Sequence, residues 1–112
     1  MGADSTYLFY GVRYQVVDED EIAQLENDTH PLVKAAKKGR LQTVFGNFSL
    51  DGDELYLLYV GREIAVLGYE GVAEIELSNA EFAKIQLDVR RKLSAAGFSL
   101  TPALFAQFQP DI

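Results

Sequence analysis

Phe45–Leu67, FGNFSLDGDELYLLYVGREIAVL, decides how this 112-residue chain folds. Two apolar runs flank Asp51-Gly52-Asp53-Glu54, and a second pair flanks Gly61-Arg62-Glu63. Asp-Gly between hydrophobic runs marks a hairpin, because glycine takes the positive φ that tight turns need. The stretch predicts three strands, Leu41–Leu50, Leu55–Val60 and Glu63–Leu67, joined as an antiparallel β-meander. In the middle one Tyr56, Leu58 and Val60 alternate with Leu55, Leu57 and Tyr59, so both faces are apolar. That is the pattern of a central strand.

Upstream, Tyr7–Val17 reads as another strand. Leu8, Tyr10, Val12, Tyr14 and Val16 are apolar or aromatic at period two, and the odd positions are mixed. Asp18-Glu19-Asp20-Glu21 follows, with Asp18 and Glu21 at capping-box spacing ahead of a short helix. Pro31 at an early helical position and Gly39 at its close predict a second short helix, Pro31–Lys38. Downstream, Val72–Leu77 is a further strand or the extended approach to a long helix. That helix is the best defined: Ser78-Asn79-Ala80-Glu81 is a full capping box, Gly97 closes it, and Phe82, Ile85, Val89, Leu93 and Ala96 keep helical spacing. In the apolar tail, 98–112, Thr101-Pro102 is read as starting a short helix that Pro110 stops.

The expected fold is α+β: an antiparallel β-meander sheet of about four strands, with one long and two short helices mainly on one face. No repeat, low-complexity tract or linker divides the chain, so residues 1–112 are read as one domain, with 1–5 expected to be flexible. Surface scaling gives about 6,200 Å² folded against about 18,000 Å² unfolded, enough burial for a core without staples. A hydrophobic content of 48% argues against disorder.

Composition excludes several chemistries. With no cysteine, disulfides, thiolate nucleophiles and Cys-based zinc sites are impossible. A formal net charge of −7 opposes a polyanion, so no direct nucleic-acid binding is expected, and the same sign disfavours anionic membranes. No apolar run approaches the ~20 residues of a membrane span, and the amino terminus has no signal-peptide pattern. A cytoplasmic location is the expectation. Gly2 and Thr6 fit the permissive myristoylation pattern, for which a plain start is the simpler reading.

No motif carries a catalytic apparatus, a metal site or a cofactor site, and none of these is expected. His30, beside Pro31, reads as an exposed or capping residue at a helix start. Asp51-Gly52-Asp53-Glu54 superficially resembles a calcium loop, but Leu55 and Tyr56 occupy its fifth and sixth positions, where the sixth must be glycine. Gly68-Tyr69-Glu70-Gly71 lacks phosphate-loop spacing, and the glycines at 46, 52, 61, 68 and 71 read as turn and bulge residues. Lys34, Lys37, Lys38 and Arg40, like Arg90, Arg91 and Lys92, read as charges complementing helix C-termini.

Two functional readings remain. The leading one is a small acidic, non-enzymatic interaction module, binding a protein partner or itself through an aromatic sheet face (Tyr56, Tyr59) or an acidic edge (Asp18, Glu19, Asp20, Glu21). Six tyrosines and seven phenylalanines exceed what three helices cover, and tyrosine is enriched at interfaces. Phe105 and Phe108 would extend that surface. On this reading, alanine at Tyr56 or Tyr59 weakens binding while the fold survives. The alternative is a small-ligand binder or minor enzyme, with a pocket between sheet and long helix lined by Tyr10, Arg13 and Tyr14.

Overall fold

A computed structural model describes residues 4–49, 52–68 and 71–109. Readings that involve Gly2, Leu50, Asp51, Tyr69, Glu70 or Pro110 lie outside the described residues. The order is β1 (Ser5–Val16), α1 (Glu19–Glu26), α2 (Pro31–Lys38), β2 (Gln42–Asn47), β3 (Tyr56–Gly68), α3 (Asn79–Ala95) and β4 (Ala103–Gln109). Four antiparallel strands form one sheet in the order β2-β3-β1-β4, and the class is α+β as expected. Only β2 and β3 follow the meander. β1 sits between β3 and β4, so the chain's first and last strands pair.

The helices start and stop where their caps dictate. Asp18 accepts the Asp20 N–H at 2.9 Å, and Ser78 accepts the Glu81 N–H at 3.1 Å. His30 is buried, and its Nδ1 accepts the Leu32 N–H at 3.1 Å, making it the N-cap of α2. Gly97, with φ +88, closes α3 through bonds from its own N–H and that of Phe98 to Ser94 and Leu93. Val72–Leu77 is the extended approach to α3, with Val72 bridging Leu67 at one point.

Three expectations are corrected. Gly61-Arg62-Glu63 is no turn: Tyr56–Gly68 is one continuous strand, and Gly61 lies opposite Gly11 inside it. The physical reason is close backbone approach. A Cβ at Gly11 would lie 2.8 Å from the Gly61 Cα, and one at Gly61, where φ is +156, would lie 2.7 Å from the Gly11 Cα. Next, the tail forms β4 instead of a helix from Thr101-Pro102, since pairing with Ser5–Gly11 satisfies its backbone and buries part of Phe105. Finally, Ser5 already belongs to β1.

Leu58, Val60, Tyr10, Val12 and Val16 face the helices and pack with Val33, Ala36, Ile85, Val89 and Leu93. Among the described residues no helix packs on the opposite face, yet Phe9, Phe48, Leu57 and Tyr59 there are buried as a second cluster. The sheet covers itself. The glycine pair and the register irregularity between Leu8 and Phe9 are the positions where β1 and β3 can curve most easily. Gly46 and Gln109 show the extent: their rows lie at Leu57 and Gly68 of β3, about 36 Å apart on a flat sheet. Yet a Cβ at Gly46 would be 3.5 Å from Gln109 Nε2.

Candidate functional site

Tyr59 stands at the centre of this inner face. Its ring packs edge-on against Phe48 (5.9 Å between centroids) and Phe105 (5.4 Å), and tilted against Phe9 (5.5 Å). Tyr7 meets Phe48 edge-on at 6.2 Å. Such aromatic contacts add roughly 0.5–1.5 kcal/mol each beyond burial. The Tyr59 hydroxyl donates to Gln107 Oε1, tying β3 to β4 across the fold. Arg13, directly opposite Tyr59 on β1, sets its guanidinium 4.7 Å from the Phe105 ring centroid.

Burial pushes the Tyr59 hydroxyl pKa up from its ordinary value, and a hydrogen bond and positive charge from Arg13 draw it partly back. Burial also raises Tyr14. Both groups hold their protons more tightly folded than unfolded. Their stabilising contribution is therefore complete below about pH 10 and declines as pH climbs from there through the folded values. Urea midpoints measured from pH 8 to 11 should fall above pH 10, and Tyr59→Phe should make the fall shallower.

The structure separates the residues the sequence grouped. Tyr59 is 2% exposed, inside the second cluster, whereas Tyr56 points to the helix face and stacks on Phe45 at 5.9 Å. Asp18, Glu19, Asp20 and Glu21 are exposed at the start of α1, away from Tyr59. Glu21 Oε1 lies 3.4 Å from His30 Nε2, so this carboxylate is tied to the cap of α2.

Nor do Tyr10, Arg13 and Tyr14 come together. Tyr10 and Tyr14 face the helices, where Tyr10 packs edge-on against Phe82 and its hydroxyl accepts from Arg90 Nε at 3.1 Å. Arg13 lies on the opposite face. Clefts of about 260 and 460 Å³ do open along α3, lined among others by Arg40, Arg62, Asp88 and Ile75, and by none of the three. A further cleft, about 580 Å³, lies between the ends of α2 and α3 and joins the two basic stretches through Lys38, Arg91 and Lys92. Among the described residues no cluster of three or more His, Asp or Glu is arranged to hold a metal.

β4 presents a surface of which the sequence pointed only to Phe108, since Phe105 turns to the opposite face. Leu104, Ala106 and Phe108 share the face turned away from the second cluster, since Leu104 pairs with Tyr10. All three are exposed, Leu104 by 48% and Phe108 by 38%. α3 lies over β1 and β3 and leaves this strip open, with exposed Leu87 on the flank of Arg90. The available signal was the alternation Leu104, Ala106, Phe108 itself. Among the described residues no helix is long and apolar enough to cross a membrane. No family model, curated protein or solved structure matches this chain.

Proposed function

We propose that this chain is a non-enzymatic, cytoplasmic interaction module that binds a protein partner or a second copy of itself, without direct contact to nucleic acid. The observation that carries this reading is the outer strand β4, an uncharged stretch whose Leu104 and Phe108 remain exposed although the chain buries two other clusters. The aromatic face takes part through its rim, where half-buried Phe105 lies under Arg13. The acidic edge supplies exposed Glu19 and Asp20 for a basic partner. Support for the non-enzymatic reading is that His30 uses Nδ1 as a helix cap and turns Nε2 toward Glu21.

Native mass spectrometry of the full chain, purified gently from its own host, tests this. The expected result is a stoichiometric protein companion or a second copy. A small-molecule adduct at fixed stoichiometry, or a bare monomer throughout, contradicts it.

A further inference from the structure

The geometry points to the outer edge of β4 as a self-association strand: two copies pair β4 antiparallel about a two-fold axis at Ala106, joining two four-stranded sheets into one of eight strands. This rests on the interaction reading above and names its occupant. β4 pairs with β1 on one side and with no described strand on the other. An open edge offers N–H and C=O groups as a template, and proteins guard such edges with charges, proline or bulges. Ala103–Gln109, ALFAQFQ, has no charge and no proline, and its pairing with β1 runs without a register shift. In a chain of net charge −7, an uncharged strand is where a second copy approaches with least repulsion.

The side-chain pattern selects the partner and the register. With the axis at Ala106, Leu104 faces Phe108 of the partner subunit, and Phe108 faces Leu104 of the partner subunit. Each exposed apolar side chain thus covers the other, twice over. On the opposite face Phe105 meets Gln107 of the partner subunit. Moving the axis to Phe105 would set Leu104 against alanine and leave Phe108 beyond the partner strand. Only the arrangement about Ala106 matches both large residues.

Sedimentation equilibrium of the full chain from about 1 to 100 µM should show a reversible dimer. The double variants L104K/F108K and L104E/F108E should each stay folded by circular dichroism, because these side chains are already exposed. Each should raise the dissociation constant by about 100-fold or more. Mixing the two should restore a dimer, since every introduced lysine then faces an introduced glutamate. The chain has no cysteine, so single replacements report the register without background. Ala106→Cys should cross-link under mild oxidation. Ala103→Cys should not, its symmetry mate lying about 20 Å away along the strand.

A wild type that stays monomeric, double variants that dimerise like wild type, or Ala103→Cys linking as fast as Ala106→Cys would each overturn the proposal. A monomer that still carries a different protein from its host would sink the β4 pairing and leave the interaction reading standing. A monomer with no companion would sink both.

Discussion

Gly61→Ala is expected to destabilise the fold by about 3 kcal/mol, the upper end of what overpacking usually costs. The new methyl would press on the Gly11 Cα at 2.7 Å and on the Tyr10 carbonyl, both of them backbone atoms that no rotamer change can move aside. The residue would also hold φ +156, which alanine rarely adopts. Gly11→Ala meets the same wall from the other strand and should cost a similar amount. Because the two substitutions strain one contact, the double variant should lose less than the sum. Urea denaturation followed by circular dichroism measures all three. A loss below about 0.5 kcal/mol for either single variant would mean that the strands do not cross this closely.

Tyr59→Ala should be at least as damaging, at about 3–5 kcal/mol, the range for emptying a buried aromatic site. It removes the ring that Phe9, Phe48 and Phe105 share. Tyr59→Phe keeps the ring and loses the hydroxyl bond to Gln107, so about 1–2 kcal/mol is expected. Phe108→Ala, on an exposed side chain, should stay within about 1 kcal/mol. These differences bear on function. A binding defect in Tyr59→Ala would report a damaged fold and not a lost contact, whereas Leu104 and Phe108 can be changed with the core intact.

The local features were legible in the sequence because local chemistry makes them. Asp18, Gly39, Ser78 and Gly97 mark helix ends by pairing backbone groups within a turn or two, and Pro31 marks one because a first helical residue needs no N–H donor. Each does so in the structure. The apolar run in Leu55–Val60 likewise placed an interior strand. Gly61 was misread because a glycine looks the same in a turn and at a close strand crossing. What distinguishes them is Gly11, fifty positions earlier. Leu104 and Phe108, four apart, share a face in a strand and in a helix alike, so the tail's pairing with β1 could not be read from spacing alone.

The exposed strip on β4 was only partly legible for the same reason. Tyr56 and Tyr59 read as one aromatic sheet face open to a partner, whereas Tyr56 faces the helices and Tyr59 is buried with Phe9, Phe48 and Leu57. The sheet supplies the cover by bending its two longest strands, an event set by contacts far apart in sequence. What the bend leaves outside is the convex strip on β4, with Leu104, Ala106 and Phe108.

The aromatic face that carries no described helix is interior, so the association proposed above would use outer surfaces such as β4. The most direct test is a nuclear Overhauser experiment on the aromatic rings. Cross-peaks between Tyr7 and Phe48, and between Tyr59 and Phe105, are predicted from centroid separations of 6.2 and 5.4 Å. On a flat sheet the rows of Tyr7 and Asn47 lie ten residues apart along β3, about 33 Å. The absence of the Tyr7–Phe48 cross-peak, with both rings assigned, would contradict the account and return the aromatic face to the surface.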